Sequence, residues 1–138
     1  MHACAMQPMA FAQSVTFLYA ADAGACRRFY ADVLGLTMVL DQGRCAIFAL
    51  AGSRAFLGIC EARGPREVHD PRSEGGSVHT FVTPDVDEWH ARLSAEGVAG
   101  LTAPRHSPEY NVYGFFFRDP AGYVFEIQRF GSADWPAP

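Results

Sequence analysis

The chain repeats one order of sequence features, and this repeat limits the folds that it can adopt. Asp22 and Asp85 lie 63 positions apart, and Gly35 and Gly97 lie 62 apart. The dipeptide Ser-Val also occurs at the start of each half, again 63 positions apart. A unit of about sixty residues that contains one sheet cannot bury that sheet alone, so two such units are expected to share a core.

The first half predicts a strand, a helix and three further strands. Residues 14–20 are rich in β-forming residues, which predicts a strand. Asp22 is a helix N-cap, and apolar residues at helical spacing follow it until Gly35 ends the helix. The remaining predicted strands are 36–40, 45–50 and 55–60.

The second half predicts the same order. Residues 77–83 are a predicted strand, and Asp85 with Glu88 three positions later has the pattern of a capping box. Gly97 ends the predicted helix. The remaining predicted strands are 98–101, 113–118 and 123–130, with a loop at 104–111 and a turn at 119–122.

These elements predict an α+β fold of two tandem βαβββ modules within one domain. The stretch between the halves holds two prolines, three glycines and six charged residues, which is typical of a linker. The predicted boundaries are an N-terminal tail at 1–13, modules at 14–62 and 77–130, the linker at 63–76 and a C-terminal tail at 131–138.

Composition excludes several classes of function. Fifteen acidic residues against eleven basic ones give a net charge of −4 with no basic run, which argues against nucleic acid as a partner. No apolar stretch approaches the roughly 20 residues of a membrane span. The first residues lack the basic region of a signal peptide, and Gln7-Pro8 interrupts their apolar run. We therefore expect a cytoplasmic protein.

The four cysteines have no local pairing pattern. Cys4, Cys26, Cys45 and Cys60 include no CxxC pair, so neither a zinc site nor a redox pair is indicated. Reduced thiols, three of them in the core, are the expectation.

Two segments resemble the vicinal oxygen chelate superfamily, which includes glyoxalase I, bleomycin-resistance proteins and extradiol dioxygenases. They are FYADVLGL at 29–36 and FRDPAGYVFE at 117–126, in this order on the repeated pattern. The resemblance covers roughly residues 14 to 130. It implies a curved mixed sheet around a cleft with the helices outside, but it does not identify a function, because one fold hosts many.

Alternation along the strands then assigns side chains to that cleft. We place Glu126 inside, together with its strand neighbour Gln128. Pairing Arg118 with Tyr123 across the turn sends three aromatic residues of the preceding strand inward. The predicted ligand-binding residues are Phe17, Tyr19, Thr80, Tyr113, Phe115, Phe117 and Gln128, with Arg105 and Tyr110 from the rim loop.

The resemblance also implies four positions for metal ligands. Val15 and Val78 occupy the first-strand positions and cannot bind a metal. Glu126 occupies the last-strand position of the second half, and an offset of 68 places Gly58 at its counterpart in the first half. Firm binding of a divalent ion needs three or four protein donors. We therefore expect no cofactor, and a divalent metal remains the alternative.

A shift in strand register is the route by which a metal site could still form. His79 lies next to Val78, and a β-bulge could turn it inward to join Glu126. Without a bulge, His79 is a half-buried histidine beside Phe81 on the side that faces the helices.

Two functions compete at this stage. An apolar cleft with few polar groups suits a small, planar organic ligand, as in a bleomycin-type binding protein. Alternatively, Glu126 among aromatic residues would have a raised pKa and act as a catalytic proton carrier, or would serve a metal-dependent lyase or dioxygenase together with His79. By resemblance we also expect a homodimer.

Overall fold

The computed structural model describes residues 9–66 and 68–138, and it contains the repeated module order. The strands are β1 (Ser14–Ala20), β2 (Thr37–Asp41), β3 (Cys45–Ala51), β4 (Ala55–Glu61), β5 (His79–Val82), β6 (Arg105–Ser107), β7 (Val112–Arg118) and β8 (Val124–Phe130). The helices are α1 (Ala23–Arg28), which continues as a π-helical turn (Phe29–Val33), α2 (Pro71–Glu74) and α3 (Val86–Ala95).

The strands form two four-stranded mixed sheets, one from each half. Their orders are β1-β4-β3-β2 and β5-β8-β7-β6. In each sheet the first and last strands of the module are parallel neighbours, while the other pairs are antiparallel. The fold class expected from the sequence is therefore confirmed.

One core joins the two halves. Tyr30 follows α1, and its ring lies 5.7 Å from Phe48 of the first sheet and 6.1 Å from Phe125 of the second. Its hydroxyl donates to the buried Asp119 at 2.6 Å. The helices therefore lie against one face of each sheet, and we call the opposite face of each sheet its open face.

The ends of the helices follow the sequence signals in part. Asp22 Oδ1 accepts from the Ala25 N–H at 3.0 Å, as expected of an N-cap. Gly35 and Gly97 end their helices at φ of 68° and 66°, where other residues are strained. The capping box expected at Asp85 is wrong, because that side chain makes no cap bond and its own N–H donates to Thr83 Oγ1.

Two elements of the second half differ from the prediction. Residues 98–101 form no strand, although Val98 and Leu101 pack against the core. Three residues of the predicted loop instead form the edge strand β6. The short helix α2 lies within the predicted linker.

The expectation of reduced thiols is wrong for two cysteines. Cys45 and Cys60 lie directly opposite each other in the β3–β4 pair and form a disulfide. Cys26 is a buried free thiol, as expected. Cys4 and most of the predicted N-terminal tail lie outside the described residues. None of the helices in the described part of the chain has the length and apolar character of a membrane span.

Candidate functional site

The open face of the second sheet carries Glu126 at its centre. Its neighbours along β8, Phe125 and Ile127, are buried under the helices, so alternation turns Glu126 to the other side. The parallel pairing of β5 with β8 places Thr80 opposite Glu126. The expected orientation of both residues is therefore present.

Hydrogen bonds hold the Glu126 carboxylate in place. Thr80 Oγ1 donates to Glu126 Oε1 at 2.9 Å. With its amide nitrogen turned toward the carboxylate, the orientation that the neighbouring groups require, Gln128 donates to Oε1 at 3.3 Å and Oε2 at 3.1 Å. Gln128 is 7% exposed, so its amide needs such a partner.

Partial burial raises the pKa of Glu126 above its ordinary value. The hydrogen bond from Thr80 and the positive charge of Arg72 oppose this rise without cancelling it. The carboxyl group is thus held in a fixed direction and accepts a proton more readily than an exposed glutamate.

The linker brings a cation to the same face. The guanidinium of Arg72, in α2, lies 4.1 Å from the ring centroid of Phe116. Phe116 pairs with Glu126 across β7 and β8, so the two side chains share the open face. The pKa of Arg72 is raised chiefly by its hydrogen bonds to Asp70 and to a lesser extent by the negative charge of Glu126, and the charge of Arg72 in turn limits the rise in the pKa of Glu126. Planar guanidinium on an aromatic face is a favourable cation–π arrangement.

Asp70 holds Arg72 in this position. Arg72 Nε and Nη2 donate to Asp70 Oδ1 and Oδ2 at 3.0 and 2.8 Å, a two-point contact. Arg118, on the open face of β7, lies 3.7 Å from the same carboxylate. These contacts lower the pKa of Asp70 to about 2. The linker is therefore tied to the second sheet through Asp70.

The open face of the first sheet is apolar at the corresponding positions. Phe17 pairs with Gly58 across β1 and β4, and a Cβ at position 58 would lie 2.5 Å from Phe17 Cδ1. Any larger residue at position 58 would require the Phe17 ring to move. Tyr19 is two residues further along β1, and the Arg66 guanidinium lies 5.1 Å from its ring centroid. A surface pocket of about 300 Å³ lies beside Tyr19, against residues 62–66.

Equivalent positions of the two modules pair with each other in the same way in both sheets. Phe17 and Thr80 lie 63 residues apart, and Gly58 and Glu126 lie 68 apart. Phe17 pairs with Gly58 in the first sheet as Thr80 pairs with Glu126 in the second. The first module therefore offers an aromatic ring where the second offers a hydrogen-bonded carboxylate.

Three residues predicted to line the cleft do not do so. Phe115 and Phe117 are fully buried among the residues under the helices. Tyr113 lies on that side too, where its hydroxyl donates to Asp87 and Arg129 covers its ring. The cause is a register difference of one residue: Arg118 pairs with Val124, not with Tyr123.

The same register places residues that sequence reasoning missed. Gly114, Phe116 and Arg118 share the open face with Glu126 in place of the three aromatic residues. Alternation along β7 could have identified them, but the incorrect pairing of Arg118 with Tyr123 assigned each side chain of β7 to the opposite face. Nothing in the linker sequence indicated that Arg72 would reach Phe116.

The two predicted rim residues lie at the edge of the second sheet. Arg105, in β6, pairs with Gly114 and so turns toward the open face. Tyr110 is 71% exposed in the β6–β7 connection.

The donors needed for a metal do not come together. His79 pairs with Phe125 and its ring lies 5.2 Å from that ring, on the side under the helices. The proposed bulge is therefore wrong, and Glu126 faces away from His79. Burial lowers the pKa of His79. Among residues 9–66 and 68–138, no three His, Cys, Asp or Glu side chains form a group that could hold a metal ion.

Comparison with known proteins identifies the family. The family model described as Glyoxalase/Bleomycin resistance protein/Dioxygenase superfamily matches residues 12–127. The chain belongs to this superfamily. The resemblance inferred from the sequence is thus confirmed. The comparison with curated proteins gave no match.

Solved structures of this superfamily's fold match most of the chain. A lactoylglutathione lyase from Agrobacterium tumefaciens is 29% identical, with a TM-score of 0.66, over 89% of this chain and 96% of that one. The fosfomycin resistance protein FosX from Listeria monocytogenes is 20% identical, with a TM-score of 0.69, over 91% and 98%. An integron cassette protein from the mobile metagenome of the Halifax Harbour sewage outfall is 16% identical, with a TM-score of 0.70, over 85% and 97%.

Proposed function

We propose that this glyoxalase-superfamily protein binds a small, planar organic ligand against the open faces of its sheets, without a metal. The carrying observation is the Glu126 carboxylate, which is fixed by Thr80 and Gln128 beside the aromatic ring of Phe116. An apolar surface with a few oriented polar groups is typical of small-molecule sites.

The charges around Phe116 favour a ligand with an anionic group. Arg72 already lies over the ring, and because Asp70 binds its Nε and Nη2, its positive charge and the N–H groups of Nη1 are left to contact a carboxylate or sulfonate. Arg105 turns toward the same face and is exposed. Phe17, Tyr19 and Tyr110 complete the proposed contacts from the first sheet and the rim.

Metal chemistry is not part of this proposal because the donors do not fit. Of the four positions that the family resemblance assigns to ligands, three hold Val15, Gly58 and Val78. A lactoylglutathione lyase activity, the one named for the relative from A. tumefaciens, is therefore not proposed for this chain. A stoichiometric zinc, nickel, manganese or iron ion in protein purified without chelator would overturn the metal-free proposal.

A second candidate function is catalysis by proton transfer at Glu126. The specific observation in its favour is the raised pKa of a carboxyl group that is held in one direction. Such a group can take a proton from a bound substrate near neutral pH and return it at another atom.

Binding of 8-anilinonaphthalene-1-sulfonate, an aromatic anion with a planar naphthalene ring system, tests the site by fluorescence titration. Phe116→Ala and Arg72→Ala should each weaken binding at least about tenfold, since stacking and charge pairing are lost. Trp135→Ala removes a half-exposed aromatic residue beyond β8 and is the matched control, with unchanged affinity. Equal affinity in all three variants would refute the assigned location.

Glu126→Gln separates binding from catalysis. The amide keeps the shape and one acceptor, so affinity for the probe should stay within a few-fold in either case. If Glu126 carries a proton, the rate with a true substrate should fall at least about 100-fold in this variant.

A homodimer is also proposed. Six apolar side chains of β1 and β2 are between 39% and 51% exposed, which is unusual for side chains of this kind on a lone chain. They are Val15, Phe17, Tyr19, Met38, Val39 and Leu40. Light scattering after size exclusion should give twice the mass of 15.1 kDa, and a monomer at micromolar concentration would refute it. A cytoplasmic location stays a prediction from the sequence.

A further inference from the structure

The disulfide between Cys45 and Cys60 lies on the open face of the first sheet. Cys60 follows the buried Ile59 in β4 and therefore turns to the same side as Gly58. Tyr19 is its partner in β1. The disulfide is thus the next feature along the strand from the Phe17 ring, and it does not belong to the core under the helices.

Its position matches a functional position of the second sheet. Cys60 and Gln128 lie 68 residues apart, the offset that relates Gly58 to Glu126. Gln128 contacts the Glu126 carboxylate. The two sulfur atoms therefore occupy the place in the first module that Gln128, a residue of the proposed binding site, occupies in the second.

The sheet keeps the two cysteines together whether or not they are bonded. Their Cα atoms are 4.1 Å apart, as expected for directly opposite residues of an antiparallel pair. The backbone hydrogen bond from Glu61 N to Arg44 O, 2.8 Å, extends the β3–β4 pair beyond them, and the bond from Gln42 N to Cys45 O, also 2.8 Å, closes the turn between β2 and β3. Reduction therefore needs no backbone movement, and the reduced thiols remain placed to form the bond again.

The two cysteines differ in exposure. Cys60 is 4% exposed, whereas Cys45 is only partly buried. Thiol–disulfide exchange requires direct approach of the attacking thiolate to one sulfur, so the more accessible Cys45 is the point of attack.

We propose that Cys45 and Cys60 form a reversible thiol–disulfide site on the open face, with Cys45 as the attacked sulfur and Cys60 as the resolving one. A small dithiol supplies the electrons. One of its thiolates bonds to Cys45 Sγ and releases the Cys60 thiolate, which takes a proton. Its second thiol then loses a proton and displaces Cys45, so the reagent leaves as a cyclic disulfide and both cysteines are thiols.

Oxidation by a small disulfide is the reverse pathway. The Cys45 thiolate attacks the reagent, forms a mixed disulfide and releases one reagent thiol. Cys60 then attacks Cys45 Sγ and releases the second thiol. Cys26 takes no part, because it is fully buried and burial raises its pKa to about 12.

The first test treats the folded Cys4→Ser protein with dithiothreitol, alkylates it with iodoacetamide and maps the labelled peptides. Cys45 and Cys60 should both be labelled after reduction and neither before it, with Cys26 unlabelled and the circular dichroism unchanged. Removing dithiothreitol and adding hydroxyethyl disulfide should restore protection. Labelling before reduction, or reduction only in denaturant, would overturn the proposal.

The second test compares two single variants in the same Cys4→Ser background. With hydroxyethyl disulfide, Cys60→Ser should accumulate a mixed disulfide on Cys45 at least about tenfold faster than Cys45→Ser accumulates one on Cys60. Cys26 is the internal control and should carry no adduct in either variant. Equal rates at the two sulfurs, or faster reaction at Cys60, would overturn the assigned roles.

Discussion

The hydrogen bond from Tyr30 to Asp119 gives the sharpest test of how the two modules are joined. It connects the helical segment of the first module to the β7–β8 turn of the second at 2.6 Å, with both residues buried. Tyr30→Phe removes the hydroxyl and leaves the ring contacts with Phe48 and Phe125 in place. The substitution therefore isolates one hydrogen bond.

The expected cost is about 1.5–3 kcal/mol of unfolding free energy, the usual range for a hydrogen bond to a charged group. Asp119 keeps the N–H donors of Ala121 and Tyr123, so the carboxylate does not lose all its partners. Burial already raises the pKa of Asp119, and Tyr30 partly offsets this rise. The variant should raise that pKa further, so its cost should shrink as the pH falls and Asp119 becomes protonated.

Urea denaturation of Tyr30→Phe and Tyr113→Phe provides the measurement and its control. Tyr113 also donates to an aspartate, Asp87, but Asp87 is exposed and Tyr113 is only partly buried. Its loss should leave the urea midpoint almost unchanged. Equal midpoint shifts in the two variants, or none in Tyr30→Phe, would refute the argument that burial gives this bond its weight.

Glu126→Gln should raise the Tm near pH 7, because a carboxyl group whose pKa is higher in the folded than in the unfolded protein destabilises the fold when it is ionised. At a pH below the ordinary pKa of glutamate the wild-type group is protonated, so the increase in Tm should disappear. An equal increase in Tm at about pH 4 would contradict this. Gly114→Ala should destabilise more than Gly58→Ala in urea, since its Cβ would lie 2.4 Å from the backbone oxygen of Ile127 instead of against the movable ring of Phe17. Incubation with EDTA should not change the Tm and should remove no metal from the protein. A lower Tm, or release of a bound metal ion, would contradict a metal-free site.

The sequence predicted most strands because their local signals agree with their surroundings. The first predicted strand, 14–20, has the same first and last residues as β1 in the structure. The strand predicted at 98–101 was wrong because Val98 and Leu101 pack against the core without being part of a sheet. β6 was missed because three polar residues at a sheet edge carry no periodic signal.

The facing of the candidate-site side chains was predicted correctly where the pairing of β5 with β8 determines it, and wrongly where it depends on the turn between β7 and β8. Thr80, Glu126 and Gln128 follow from alternation along β5 and β8. The facing strand depends on the turn, where Asp119 Oδ1 accepts from the N–H groups of Ala121 and Tyr123. Tyr123 is held within that turn, so β8 pairs one residue later than expected and every side chain of β7 changes face.

Comparison of the two modules explains why family membership alone does not indicate the chemistry. Their registers are equivalent, so the same positions face the same way in both sheets. At those positions the second module has Thr80 and the carboxylate of Glu126, whereas in the first module the ring of Phe17 packs against Gly58. A ligand held by both halves would therefore meet a polar end and an apolar end. The difference arises from the residues within an equivalent backbone, and for this reason specificity must be argued from Phe17, Gly58, Thr80 and Glu126 rather than from the fold.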